Sequence, residues 1–144
     1  MSILRIAKAP TSAVSTSATV MEAVKKMRDA NVGAVVVLDN GVLQGMFSER
    51  DVMLRIVLER KDPEKTKVKD VMTTQVVAIS KNTKPDEAVR LMWERHIRHL
   101  PVVREDGAVE GIVEIRNLFH ETVEDMAQQL DSLESYIAMD GIGG

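Results

Sequence analysis

The hydrophobic positions of the first half of the chain predict a helix followed by a buried strand. Val20 is followed by apolar residues three, four and seven positions later, Ala23, Val24 and Met27, which is the spacing of one helical face. Thr19 and Glu22 form the Thr-x-x-Glu pattern of a capping box, so we expect this helix to begin just after Thr19. The apolar run 34–38 then predicts a short strand that is buried on both faces.

The same pattern occurs a second time, 65 residues further along, at Pro85, Ala88, Val89 and Met92. Residues 99–103 then take the place of 34–38. Each apolar run is followed by a turn sequence, Asp39-Asn40-Gly41 in the first copy and Glu105-Asp106-Gly107 in the second, and both are typical of β-hairpins. We interpret the chain as two homologous halves.

Each half has the predicted order strand, helix, strand, turn, strand, helix. Short leading strands are expected at residues 13–14 and over 75–80. The segment 49–58 reads as a helix that is apolar around much of its circumference, which predicts burial on more than one side. The predicted divisions are a first repeat (1–60), a charged linker (61–67), a second repeat (68–121) and a C-terminal helix with its tail (122–144). Because a unit of about 60 residues is marginal alone, we expect the two halves to pack their sheets together.

Composition and charge narrow the class of protein. The chain is 44% hydrophobic and 28% charged, carries a net charge of −3 and has no cysteine. It therefore has neither a disulfide framework nor the basic field that attracts nucleic acid, and aromatic residues at 3% provide few stacking platforms. No apolar run approaches the roughly 20 residues of a membrane helix. The first seventeen residues lack the pattern of a signal peptide, so we expect a cytoplasmic location.

No catalytic or metal site is expected. No serine is paired with a histidine and an orienting carboxylate in a recognisable arrangement. His96 and His99 are three residues apart, but no third ligand lies nearby and the adjacent arginines would repel a cation. Trp93, on the second predicted helix, is expected to be a partly buried packing residue.

The segment from Gly45 to Asp51 joins a predicted strand to the start of a helix and carries the most specific chemistry. Gly45 would allow a close approach of backbone and ligand. Ser48 occupies the N-cap position, and Asp51 follows three residues later, near the positive end of the helix dipole. This pair fits a simple capping box, and it also fits a carboxylate that accepts hydrogen bonds from the two vicinal hydroxyls of a ribose. The spacing alone leaves both interpretations open.

The duplicated layout, closed in the first half by Gly-Met-Phe-Ser-Glu-Arg-Asp, resembles a tandem pair of CBS domains, or Bateman module. Residues 68–73 (Val-Lys-Asp-Val-Met-Thr) resemble the lead-in of a second CBS repeat, and residues 98–103 resemble the central strand of the family. The resemblance covers nearly all of residues 3–121. It implies an α/β (α+β) fold of two βαββα repeats related by a pseudo-twofold axis, with a C-terminal helix added. Clefts between the repeats of such proteins commonly bind AMP, ADP, ATP, NAD or S-adenosylmethionine as regulatory ligands and not as enzymatic cofactors.

The family pattern Gly-hydrophobic-x-Thr/Ser-x-x-Asp/Asn falls on Ser48 and Asp51, which the resemblance assigns to ribose and phosphate. It also places the adenine near Val76 and Val77, with Thr74 and Ile97 beside them. Four cationic or polar residues are then expected near the phosphates: Arg50, Arg98, His99 and Arg116. Arg98 and His99 also fit an alternative role as ordinary exposed residues before a strand.

The second cleft implied by the resemblance departs from the pattern. Glu114 stands where the serine or threonine belongs, and Asn117 replaces the aspartate. The partner strand, with Val32 followed by Gly33 and Ala34, offers no cation. We therefore expect one dominant nucleotide site, together with a weaker cleft at Val32 and Asn117.

The C-terminal segment carries an apolar seam whose members are spaced four and three residues apart in alternation: Phe119, Val123, Met126, Leu130, Leu133 and Ile137. The helix either folds back onto its own domain or pairs across a homodimer. Two functions remain open. The first is a stand-alone regulatory module that binds an adenosine-containing ligand and signals through a dimer or an unidentified target protein. The second is a constitutive dimeric scaffold with a vestigial cleft.

Overall fold

The computed structural model describes residues 2–8 and 12–141, with side chains described up to residue 138. The first half contains α1 (Ile3–Ile6), β1 (Ala13–Ser15), α2 (Val20–Ala30), β2 (Ala34–Asp39), β3 (Val42–Ser48) and α3 (Glu49–Asp51), which continues as a π-helix over Val52–Val57. A 3₁₀ turn at Val68–Asp70 precedes the second half, which contains α4 (Pro85–Arg95), β4 (His99–Val103), β5 (Val109–Glu114) and α5 (Ile115–Gly141).

The first helices of the two halves begin and end as their sequences predict. The Thr19 hydroxyl accepts from the Glu22 N–H, and the Glu22 carboxylate accepts from the Thr19 N–H, so the capping box of α2 is formed. Pro85 occupies the first turn of α4. Asn31 and His96 end the two helices in the left-handed conformation, at equivalent positions of the repeat.

The two sheets are unequal, because residues 75–80 do not form the leading strand that the sequence predicts. That prediction is wrong. In the first half β1 pairs parallel to β2, and β2 pairs antiparallel to β3. In the second half β4 and β5 form an antiparallel pair, and the leading segment contributes a single parallel bridge between Ile79 and Val102. The reason is Pro101, which occupies the position equivalent to Val36. The Val36 N–H donates to the Ser12 carbonyl at 3.1 Å, and a proline has no N–H to make the matching bond.

The lead-in segments cross between the halves. Ile3 and Ile6 of α1 are buried with Ala88, Met92 and Leu100 of the second half. Val68 and Val71, their equivalents, are buried instead in the core of the first half. Each half therefore completes its core with a segment from the other repeat.

A third cluster joins the two sheets and confirms that the halves pack sheet against sheet. Ala34 and Val36 of β2 and Met46 of β3 are buried with Ile112 of β5. The backbone reflects the same symmetry, because Thr73 bridges to Met46 and Lys8 bridges to Ile112. This packing creates a seam between the halves in which side chains of both repeats meet.

The sequence predicts that the helix starting at Glu49 is buried on more than one side, but most of its apolar side chains are exposed. Asp51 and Ile56 are buried, but Met53, Leu54, Val57 and Leu58 are exposed. Apolar residues around a helix favour burial, but their pattern does not show whether residues of the same chain bury them. The prediction of burial within this chain is therefore wrong.

The last helix runs without a break from Ile115 to Gly141, so the expected division between a second repeat and a separate C-terminal helix at residue 122 falls inside α5. The helix does not fold back onto its own domain. Met126, Leu130, Leu133 and Ile137 are between 54% and 64% exposed. The fold-back interpretation is therefore wrong.

Candidate functional site

A cleft of about 840 Å³ lies in the seam between the two halves. Eight of the ten residues that the sequence assigns to the main ligand site line it: Ser48, Arg50, Asp51, Val76, Val77, Ile97, Arg98 and His99. They come from the junction of β3 and α3, from residues 76–77 after the second lead-in, and from residues 97–99, which lead into β4. The structure thus brings together residues up to 51 positions apart in sequence.

The Asp51 carboxylate is the most constrained polar group of the cleft and is only 8% exposed. One of its oxygens accepts from the Ser48 N–H at 3.0 Å and from the Ser48 hydroxyl at 3.2 Å. The Ser48 hydroxyl is also 3.3 Å from the Asp51 N–H, so the capping box is formed. The capping interpretation is therefore confirmed. It does not compete with a binding role, because the same carboxylate lines the cleft.

Thr73 and Arg55 also contact Asp51, and the sequence analysis missed both. The Thr73 hydroxyl lies 3.3 and 3.5 Å from the two carboxylate oxygens. Arg55 lies one helical turn after Asp51, with its Nε 3.6 Å from the carboxylate, and its guanidinium donates to the carbonyls of Val71 and Met72 at 2.9 Å. The i, i+4 spacing of Asp51 and Arg55 was an available signal for this ion pair.

Thr74, the residue assigned by resemblance, is exposed and is not among the residues that line the cleft. Thr73 lines it instead, because its backbone pairs with that of Met46 and holds its side chain above Asp51. Gly45 allows this approach, since a Cβ there would lie 2.7 Å from the Thr73 carbonyl oxygen. The close approach at Gly45 is therefore made by the lead-in backbone and not by a ligand.

His99 lines the cleft and lies close to the carboxylate of Glu114. Its Nε2 is 3.9 Å from Glu114, which faces it across the β4–β5 pair, and both side chains are largely buried. Burial lowers the pKa of His99, and the nearby Arg98 guanidinium lowers it further, while Glu114 and Glu49 act in the opposite direction. The imidazole of His99 and two exposed arginines, Arg50 and Arg98, line the same cleft.

The rest of the lining is mostly apolar. Ala34, Met46, Val76, Val77 and Ile97 form walls that suit a flat, uncharged ring. Four exposed apolar residues stand at the cleft and are called the rim below: Met53, Val89, Trp93 and Ile115. Trp93 is 82% exposed, so the expectation that it is a partly buried packing residue is wrong.

Arg116 is exposed and does not line the cleft, although the resemblance placed it near the phosphates. Arg116 is the second residue of α5, and the first residue, Ile115, lines the cleft instead.

The weaker cleft expected at Val32 and Asn117 stays a prediction. Val32 lies in a shallow depression formed with residues of α2 and of the helix that begins at Glu49. Asn117 is not part of that depression, and its Nδ2 is buried without a hydrogen-bond partner. Glu114 approaches His99 of the main cleft. Within residues 2–8 and 12–141, no cluster of histidine and carboxylate side chains is arranged to hold a metal ion.

A model of the CBS domain family matches residues 6–58 and 68–124. The chain belongs to the CBS domain family. It is 35% identical over 128 residues to the mitochondrial CBS domain-containing protein CBSX3 of Arabidopsis thaliana, covering 85% of this chain and 62% of that protein. It is 39% identical over 105 residues to the CBS domain-containing protein YhcV of Bacillus subtilis, covering 73% and 74%. The chain thus spans less than two thirds of the Arabidopsis relative.

Solved structures of CBS pairs confirm the predicted fold of two CBS repeats. A putative signal-transduction protein with CBS domains from Burkholderia ambifaria matches with a TM-score of 0.78 at 29% identity, over 87% of this chain and 96% of that one. The CBS domain protein PAE2072 from Pyrobaculum aerophilum, complexed with AMP, matches with a TM-score of 0.73 over 81% and 89% of the two chains. At 23% identity this second match shows the fold alone.

No helix in the described part of the chain combines the length and apolar character needed to cross a membrane. The cytoplasmic location stays a prediction.

Proposed function

We propose that this chain is a regulatory module, and not an enzyme, that binds an adenosine-containing ligand in the cleft between its two CBS repeats. AMP, ADP, ATP and NAD are the proposed ligands. The observation that carries the proposal is the Asp51 carboxylate, which is buried at the wall of a cleft and surrounded by the hydroxyls of Ser48 and Thr73. The matched CBS family supports the regulatory role.

The geometry around Asp51 suits a ribose. A carboxylate accepts about four hydrogen bonds. The Asp51 oxygen that faces Ser48 accepts from the Ser48 N–H at 3.0 Å and from the Ser48 hydroxyl at 3.2 Å. The other oxygen has the Thr73 hydroxyl at 3.3 Å and the Arg55 Nε at 3.6 Å. This second oxygen keeps capacity for a donor from a ligand, and the hydroxyls of Ser48 and Thr73 can turn toward the same ligand.

The remaining lining supports a base at one end and a phosphate at the other. Val76, Val77 and Ile97 provide an apolar slot, which the adenine would occupy. Arg50 and Arg98 are exposed at the cleft and donate charge-assisted hydrogen bonds to phosphate oxygens in this proposal. That a protein of the same fold is complexed with AMP is consistent with this arrangement.

Signalling follows from the position of the cleft. Asp51 belongs to the first repeat, whereas Val76 and Arg98 belong to the second, so a ligand that contacts all three bridges the halves. A bound ligand shifts the molecule toward whichever arrangement of the halves it binds more tightly. A homodimer or a target protein would sense that arrangement.

A second candidate function is a constitutive dimeric scaffold with a vestigial cleft. The exposed apolar side chains of α5 favour it, because they suit an interaction surface whether or not the cleft is occupied. The two functions differ in their response to nucleotides.

Isothermal titration calorimetry with adenosine, AMP, ADP, ATP, NAD and GMP tests the proposal. We expect saturable one-site binding of at least one adenine ligand and much weaker binding of GMP. Arg98→Ala should lower the affinity for AMP more than the affinity for adenosine. Arg90→Ala, a matched change on the exposed face of α4, should alter neither affinity. Absence of binding by every adenine ligand would contradict the proposal and favour the scaffold.

A further inference from the structure

We propose that His99 takes up a proton when a phosphorylated ligand occupies the cleft, and that Glu114 holds the protonated imidazole in position. His99 thereby distinguishes a nucleotide from adenosine, which has no phosphate, and the affinity for the nucleotide depends on pH. This inference rests on the function proposed above, since it concerns the same cleft. It gives a role to Glu114, the residue at which the second half departs from the Ser48 pattern.

A comparison of the two halves shows that the fold does not require a His99–Glu114 pair. These residues are partners in the register of β4 and β5, and their equivalents in the first half, Ala34 and Ser48, are partners in the register of β2 and β3. Ala34 is buried between the sheets and Ser48 caps α3, and neither side chain is ionisable. The second half thus carries two titratable groups at a place where the first half folds with none.

His99 and Glu114 are adjacent but not joined by a hydrogen bond. The Nε2 of His99 lies 3.9 Å from a carboxylate oxygen of Glu114, which is longer than a hydrogen bond. The two side chains are 17% and 13% exposed. His99 lines the cleft, so its ring is accessible to a ligand there. A proton on Nε2 would let a small movement of either side chain form a charge-assisted hydrogen bond.

The charges around His99 have opposing effects on its protonation. Five titratable or charged side chains line the cleft with it: Glu49, Arg50, Asp51, His96 and Arg98. Glu114 faces it from β5, and the apolar rim adds no charge. Burial lowers the pKa of His99 and Arg98 lowers it further, whereas Glu114 and Glu49 act in the opposite direction. Because the pKa lies below 6.5, the imidazole of the ligand-free chain is largely deprotonated at pH 7.5.

A phosphate group in the cleft reverses this balance. It carries close to two negative charges at pH 7.5, and a nearby opposite charge raises the pKa of a histidine. An imidazolium has two N–H donors, so His99 donates to Glu114 through Nε2 and to a phosphate oxygen through Nδ1. The proton comes from the solvent, and no bond of the ligand breaks. Proton uptake therefore accompanies the phosphate and not the adenosine.

Isothermal titration calorimetry of the full chain at pH 7.5 tests the proposal. Titrations with AMP and with adenosine, each in two buffers of different ionisation enthalpy, give the number of protons taken up per bound ligand. We expect about half a proton or more with AMP and none with adenosine. From pH 7 to pH 8 the affinity for AMP should therefore fall by about threefold or more, while the affinity for adenosine stays constant.

The phosphate of AMP cannot account for an uptake of this sign. Its second pKa is about 6, so it is already mostly doubly ionised at pH 7.5. Contact with arginine would lower that pKa further, which would release a proton instead of taking one up.

Three variants assign the proton. His99→Asn should abolish the uptake, and Glu114→Gln should reduce it, because the imidazolium loses its carboxylate partner. His96→Asn is the matched control and should keep the uptake, since His96 lines the same cleft and Asn31 occupies the equivalent position in the first half. Thermal unfolding verifies that each variant is folded.

AMP binding without proton uptake would overturn the proposal and leave the proposed function standing. Uptake that persists in His99→Asn, or that is lost in His96→Asn, would also overturn it, because the proton would then belong to another group. Unchanged uptake in Glu114→Gln would refute the role of Glu114. If no adenine ligand binds the wild type, the proposed function fails and this inference fails with it.

Discussion

The hydroxyl of Thr73 lies 3.3 Å from the carboxylate of Asp51, across the boundary between the two CBS repeats. Asp51 lies in the first turn of the last helix of the first repeat, and Thr73 belongs to the lead-in of the second, 22 residues later. This contact connects the two halves at the wall of the cleft. A ligand that draws either side chain toward itself therefore acts on the junction between the repeats.

Replacement of Thr73 by valine tests that junction. Thr73→Val keeps the shape of the side chain but removes its hydroxyl, so we expect the free energy of unfolding to fall by about 1 kcal/mol. The affinity for the bound adenine nucleotide should also decrease. Chemical denaturation and calorimetry measure the two effects. Thr74→Val is the matched control, because Thr74 is exposed and outside the cleft lining, and equal effects of the two substitutions would contradict this role for Thr73.

Gly45 is expected to be intolerant of even a methyl group. An alanine Cβ there would lie 2.7 Å from the Thr73 carbonyl oxygen, so the lead-in backbone would have to move. We expect Gly45→Ala to lower the free energy of unfolding by about 1–3 kcal/mol in urea denaturation. Gly33→Ala is the comparison, since its added methyl would meet the side chains of Glu49 and His99, and the Glu49 side chain can turn away. Unfolding of both variants at the same urea concentration would refute the explanation.

The buried His99 predicts a pH dependence of stability. Burial lowers its pKa below the ordinary value of 6.5, so the folded chain binds fewer protons than the unfolded chain between the two pKa values. The contribution of His99 to the free energy of unfolding is therefore complete above pH 6.5 and is lost as the pH falls through the folded pKa. We expect wild-type stability to drop more than that of His99→Asn between about pH 7.5 and about pH 5.5.

Urea denaturation at several pH values measures this difference. His120→Asn changes an exposed histidine of α5 and serves as the control, which should follow the wild type. A His99→Asn profile parallel to the wild-type profile would show that His99 does not contribute.

Much of the fold was predictable because the repeat displays it twice. The spacing of Val20 and Pro85, and of the residues that follow each, correctly predicts α2 and α4. The apolar runs and turns predict β2 to β5. The leading strand over 75–80 failed because Pro101 removes one backbone donor, which a comparison with Val36 would have revealed.

Other features of the structure could not be predicted from the sequence pattern. The apolar residues of 3–8 and 68–73 indicate burial but not which half buries them. Thr73 and Thr74 have the same chemistry, and only the pairing of Thr73 with Met46 decides which one reaches Asp51. Trp93 and the helix over 49–57 have apolar residues that are exposed in the folded chain, and local periodicity alone does not predict this exposure.

The proposed contact between Asp51 and the ribose of an adenine nucleotide can be tested with a cycle of protein and ligand changes. Calorimetry would compare AMP with 2′,3′-dideoxy-AMP on the wild type, on Asp51→Ala and on Glu22→Ala. Glu22 occupies the same position in the capping box of α2, outside the cleft, so its replacement controls for loss of a helix cap.

We expect the wild type and Glu22→Ala to prefer AMP by at least about tenfold, since hydrogen bonds to a charged group contribute roughly 1.5–3 kcal/mol. Asp51→Ala should bind both ligands equally. An undiminished preference for AMP in Asp51→Ala would contradict the claim.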